Sequence, residues 1–171
     1  AQGGAFAGWS LYLHEGRLTY CYNLLGLGRA KVSGADVVPA GTHQVRMEFS
    51  YDGGGLGRGA DVALFVDGDQ TGAGRLEGTV PLLFSADETL DVGADTASPV
   101  SDDYGAESNR FTGAIAWVQL DVGADAEIYR YGMHGKEFTV LLTVAPEQSF
   151  DLAIHLLARA QNAAAMDIEV N

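Results

Sequence analysis

The stretch from Phe49 to Gly68 constrains this chain more than any other. It ends one alternating run, turns through five glycines in the seven positions 53–59, and opens a second alternating run that closes on Asp67-Gly68. Phe49, Val62, Leu64 and Val66 fall at strand spacing, and Asp-Gly is the dipeptide of a two-residue hairpin turn. A phosphate-cradling loop needs a helix behind its glycines, so that free N–H groups face the anion. Here the glycines lead into the β-branched, aromatic, period-2 run 61–66, so they punctuate a sheet and do not form a nucleotide loop.

The same grammar extends along the chain. Residues 9–13 alternate, His14-Glu-Gly16 turns, and 17–22 returns, which predicts a hairpin. In 42–51, Val45, Met47, Phe49 and Tyr51 share one face, while Gln44, Arg46, Glu48 and Ser50 share the other. Residues 61–66 pair across Asp67-Gly68 with a segment near 71–75, and further strands are predicted at 80–84 and 111–120. Many short strands at about ten-residue spacing predict an all-β, two-sheet antiparallel sandwich. After Asp125 the composition shifts. Residues 128–131 and 137–144 predict a short hairpin, and Pro146 opens one amphipathic helix whose stripe carries Phe150, Ile154 and Leu157. The expected organisation is a β-sandwich domain over 1–125 and a hairpin-plus-helix appendage over 126–171.

The chain has 171 residues, 47% of them hydrophobic, and no run approaches the length of a membrane span. A net charge of −13 argues against nucleic acid and anionic membranes as partners. Cys21 is the single cysteine, so no internal disulfide framework exists, and its strand-like setting fits a buried inert thiol. The histidines His14, His43, His134 and His155 show no metal-ligand spacing, and no G-x-S-x-G elbow occurs. One constellation remains. The acidic loop 85–104 holds Asp87, Glu88, Asp91, Asp95, Asp102 and Asp103, oxygen ligands of the kind Ca²⁺ prefers, although not at EF-hand spacing; the same residues also suit a solvated or capping loop, or a docking surface. Trp9, Tyr12 and Tyr104, with the stripe Phe150, Ile154 and Leu157, are the candidates for a ligand or interface surface. Core packing explains most of the aromatic residues equally well.

Several ordered motifs resemble one family. They are Gly3-Gly4 with Gly8-Trp-Ser-Leu-Tyr-Leu13, Pro39-Ala-Gly-Thr-His43, the glycine turn 53–57, Leu64-Phe-Val-Asp-Gly68, Phe84-Ser85 through Asp91-Val-Gly93, Tyr104 and Phe111-Thr-Gly113. Over residues 3 to about 122 they look like the C-terminal β-sandwich region of long bacterial arylsulfatases. The resemblance implies a concanavalin-like or laminin-G-like jelly roll and a sulfatase catalytic domain as partner, with catalysis located outside this chain. Sulfatases make formylglycine from a C/S-x-P-x-R motif, whereas Cys21 is followed by Tyr-Asn-Leu-Leu, so no catalytic residue carries over. The expected function is a non-catalytic accessory domain that packs on or shields the active domain of such a sulfuric ester hydrolase. The alternative is a lectin-like carbohydrate-binding module, Ca²⁺-assisted through loop 85–104.

Overall fold

The computed structural model describes residues 1–81, 84–85, 90–121, 137–144 and 166–169. These form ten strands in two antiparallel sheets, and among the described residues there is no helix. The smaller sheet runs in the order β1 (Gln2–Gly3), β2 (Gly8–His14), β3 (Arg17–Leu24), β4 (Gly28–Val37). The larger holds β5 (Gly41–Tyr51), β6 (Ala60–Val66), β7 (Asp69–Leu76), β8 (Ala114–Asp121), β9 (Glu137–Val144) and β10 (Met166–Glu169), in the order β10-β8-β9-β5-β6-β7.

Turn chemistry fixes the hairpins. Glu15-Gly16 joins β2 to β3 and Asp67-Gly68 joins β6 to β7, and all four residues have positive φ, as a type I′ turn demands. The alternation of β5 holds: Val45, Met47 and Phe49 are buried, and their registered partners Val62, Leu64, Val140 and Val66 lie on the same inner face. From the smaller sheet, Trp9, Leu11, Leu13, Leu18, Tyr20 and Tyr22 face them. Tyr22 stacks on Phe49, the ring centroids being 6.4 Å apart, and so ties one sheet to the other.

The sheets meet along one side at β4 and β7. There the chain needs glycine: a Cβ on Gly74 would sit 2.5 Å from Val32 Cγ2, and one on Gly72 would sit 2.7 Å from the Ser33 carbonyl oxygen. The small residues of 72–74 are therefore a close-packing device between two strands that do not hydrogen-bond to each other.

Three sequence expectations change. The described residues of 80–84 are not a strand, because Pro81 lacks an N–H and the Val80 N–H donates to the Tyr22 hydroxyl at 2.9 Å. β9 is not one arm of a local hairpin with 128–131 but an interior strand between β5 and β8. Residues 28–37, which carry little apolar alternation, form β4. The boundary near 125, the partner arm 128–131 and the amphipathic helix after Pro146 lie outside the described residues. Among the described residues no helix is long and apolar enough to cross a membrane.

Candidate functional site

Two surfaces of the sandwich carry chemistry or shape that the fold itself does not demand. The first is the outer face of the smaller sheet. Register places Ser10 opposite Cys21 and Tyr12 opposite Thr19, and continues across to Ser33 and Lys31 on β4. These residues point away from the inter-sheet core, yet Ser10, Tyr12, Thr19, Cys21 and Asn23 are all buried. The cover is the segment 90–111, which crosses this face without regular secondary structure.

Its attachments are mainly polar. The Tyr12 hydroxyl donates to Asp103 Oδ2 at 2.5 Å and lies 3.0 Å from Ser101 Oγ. The Tyr104 hydroxyl donates to Asp95 Oδ2 at 2.6 Å and lies 2.9 Å from Ser10 Oγ, while its ring meets Tyr12 edge-on at 5.1 Å. Lys31 Nζ reaches Asp102 and Asp103 at 2.5 Å each, and Arg29 Nε donates to the Val100 carbonyl at 2.8 Å. Within the segment, Asp95 Oδ2 accepts the Val100 N–H at 2.9 Å, Asp91 Oδ2 accepts the Thr96 N–H at 2.8 Å, and Asn109 bridges Asp95 to Gly105.

The electrostatics follow from this enclosure. Burial pushes the Tyr12 and Tyr104 hydroxyls well above their ordinary range, and their carboxylate partners add to the shift. Burial likewise pushes the Cys21 thiol up to about 11, so at neutral pH it is a protonated, poor nucleophile. For Asp103, burial raises the carboxyl, but the bonds from Lys31 and Tyr12 outweigh it and hold the group below the usual carboxylate range. Asp102 is held low chiefly by Lys31.

Of the acidic residues expected as cation ligands, Asp91, Asp95, Asp102 and Asp103 therefore have protein donors as partners. Asp87 and Glu88 lie outside the described residues. Among the described residues no three His, Cys, Asp or Glu side chains gather closely enough to share a metal ion. The expected ligand or interface aromatics are enclosed as well. Trp9 is buried on the inner face and stacks on Tyr20 at 6.2 Å, while Tyr12 and Tyr104 lie under the covering segment, so none of the three offers an open ring face. Phe150, Ile154 and Leu157 lie outside the described residues.

One pairing escaped the sequence reading. His43 Nδ1 lies 2.7 Å from Asp67 Oδ2, whose other oxygen accepts the Gln44 N–H at 2.8 Å. Among the described residues His43 Nε2 has no hydrogen-bond partner, and none of them sets a hydroxyl or thiol beside it as a nucleophile. The pair braces the Asp67-Gly68 turn against β5. Its only sequence signal is the Asp of the turn dipeptide.

The second surface is an end of the sandwich. Among the described large apolar residues, Phe6 is 60% exposed, Leu27 86% and Leu56 49%, and each leucine stands in a Gly-Leu-Gly tripeptide. These loops are braced. Asn23 donates to the Gly4 and Ala5 carbonyls at 2.9 Å and accepts the Gly26 N–H at 3.0 Å, which joins loop 4–7 to turn 25–27. The Tyr51 hydroxyl donates to the Gly55 carbonyl and accepts the Arg58 N–H, closing loop 52–59. Gly78 sits between Gly57 and Leu24, which brings the two leucine loops to the same end. Across loops 4–7, 25–27 and 52–59 the charged residues are Asp52 and Arg58, and Asp52 is paired with Arg75 at 2.5 and 2.7 Å. In a chain of net charge −13, this end is close to neutral.

No family model, curated protein or solved structure matches the chain.

Proposed function

We propose that this chain is a concanavalin-like jelly-roll domain accessory to an arylsulfatase-like sulfuric ester hydrolase, supplying a docking and shielding surface and no catalytic group. The ordered motifs over residues 3 to about 122 motivate the family. The observation that carries the docking role is the nearly neutral end bearing Phe6, Leu27 and Leu56 on braced loops. Charge depletion around exposed apolar side chains is the composition of an interface core, and a rigid presentation reduces the entropy lost on docking. The groups that could do chemistry have structural partners instead. Cys21 is enclosed and protonated, Tyr12, Tyr104, Asp95 and Asp103 bond to one another's elements, and His43 braces a turn.

The test mixes the purified chain with the separately expressed catalytic domain of a long bacterial arylsulfatase. Association seen by sedimentation, lost in the double variant Leu27→Asp/Leu56→Asp, supports the proposal. Turnover of a chromogenic aryl sulfate by the chain alone, or association unaffected by the double variant, contradicts it. A glycan array with and without chelator separates the lectin-like alternative: calcium-dependent sugar binding would replace the accessory role with a carbohydrate-binding one.

A further inference from the structure

We propose that residues 90–111 form a strap that opens as a unit, ahead of global unfolding, and that its opening uncovers Cys21 and the hydroxyl-lined outer face of β2 and β3. Three observations lead there. The strap is attached chiefly through hydrogen bonds and ion pairs, which water can replace on opening, whereas the inter-sheet core is apolar. Its backbone-to-backbone ties to the rest of the molecule lie at its start, where Leu90 opposes Gln2 and Asp91 pairs with Ala1; further along, side chains make the ties, Ser98 to the Ala5 N–H and Arg29 to the Val100 carbonyl. The Phe111 N–H returns to the Gly93 carbonyl at 2.8 Å, so the two ends of the segment are fastened to each other and the intervening loop can lift without either sheet losing a strand. Segments with few apolar anchors open with a fraction of the global free energy. The buried apolar residues of this one are Leu90, Val100 and Tyr104.

The strap is internally tied, which is why it should move as a piece. Asp95 holds Val100 and Tyr104, and Asn109 holds Asp95, Gly105 and Ala106. Its outward fastening concentrates on Lys31 and Tyr12, which both meet Asp103. Cys21 lies beneath Ser101 at the centre of the covered face and is the chain's single thiol, so it reports opening without any added label.

The experiment measures the alkylation rate of Cys21 by N-ethylmaleimide in the full chain across urea concentrations, beside the unfolding curve from circular dichroism. In the wild type, labelling below the transition should be faster than global unfolding permits and nearly independent of urea. Lys31→Ala should raise that low-urea rate about tenfold, as the partly exposed contacts to Asp102 and Asp103 are lost together, with a smaller displacement of the unfolding midpoint. Tyr104→Phe, which keeps the ring and removes the hydroxyl, should act in the same direction. Leu64→Ala, a change in the inter-sheet core, should shift the unfolding midpoint and leave low-urea labelling where it was. Labelling that follows the global unfolding curve in all four proteins, or that Leu64→Ala accelerates in proportion to its loss of stability, would overturn the strap.

Discussion

The two faces of the smaller sheet are covered by different means. The inner face meets the larger sheet through Leu11, Leu13, Leu18 and Tyr20, packed without reference to a particular partner atom. The outer face meets residues 90–111 through Tyr12 and Ser10, each tied by a hydrogen bond to a named oxygen. Burial is nearly complete on both sides, but its cause differs. Apolar packing is non-directional and tolerates swaps of similar volume, whereas a buried polar contact fails when one partner is lost. The inner face should therefore set how stable the protein is, and the outer face how the covering segment is held.

That contrast can be broken experimentally from either side. The largest expected effect is on the inner face: Leu64→Ala should cost about 2–5 kcal/mol by urea denaturation, because Leu64 is fully buried between sheets that cannot collapse onto a cavity. A cost below 1 kcal/mol would mean that the sheets are not packed there. Next comes the β4–β7 seam, where Gly74→Val should cost about 1–3 kcal/mol as the new side chain collides with Val32. Asp95→Ala should follow at about 1–3 kcal/mol, since it strands the buried Val100 N–H and leaves the Tyr104 hydroxyl with Ser10 alone. The near-ultraviolet tyrosine signal should change more than the far-ultraviolet one.

A pH titration sharpens the comparison further. Asp102 and Asp103 have folded-state pKa values below their unfolded values, so the stability they contribute is present above about pH 4 and is lost as pH falls through the folded values. The groups facing Asp103 are Lys31 on β4 and Tyr12 and His14 on β2, with Asp102 beside it; Arg29 on β4 acts on Asp102. Near-ultraviolet circular dichroism should show the tyrosine environment changing below pH 4 in the wild type, and Lys31→Met should move that change to higher pH. An unmoved titration would remove Lys31 from the fastening. The smallest effect belongs to the nearly neutral end. Leu27→Asp should leave stability within about 0.5 kcal/mol, because the side chain has no packing to lose.

How much of this was legible in the sequence differs between the two faces in the same way. The inner face reads directly: Val45, Met47 and Phe49 alternate, Asp67-Gly68 announces its turn, and both survive in the structure. Strand partners at long range do not read. Phe138, Val140, Leu142 and Val144 alternate as clearly as β5, but nothing in that pattern says that β9 lies between β5 and β8. β8 hides its phase behind a bulge at Ala116, which lets Ile115 and Val118 both face inward. β4 escaped because it lies at the glycine seam, where only Val32 and Gly34 are buried and apolar alternation is not required. The acidic segment does not announce its bonds, because carboxylates advertise charge and not their partners. Those partners, Tyr12 and Lys31, lie 91 and 72 residues from Asp103 in sequence. A signal was nevertheless present. Away from the His14–Arg17 hairpin end, the outward side chains of β2 and β3 are Ser, Tyr, Thr, Cys and Asn, whereas a solvated sheet face carries Lys, Glu and Arg.

The measurement that bears most directly on the central claim is a double-mutant cycle between Tyr12→Phe and Asp103→Asn, read by urea denaturation. If residues 90–111 cover the outer face through this bond, the two changes should couple by about 1.5–3 kcal/mol, the range for a hydrogen bond to a charged group. Additive effects, with coupling within about 0.5 kcal/mol, would contradict it and place the acidic segment elsewhere on the molecule.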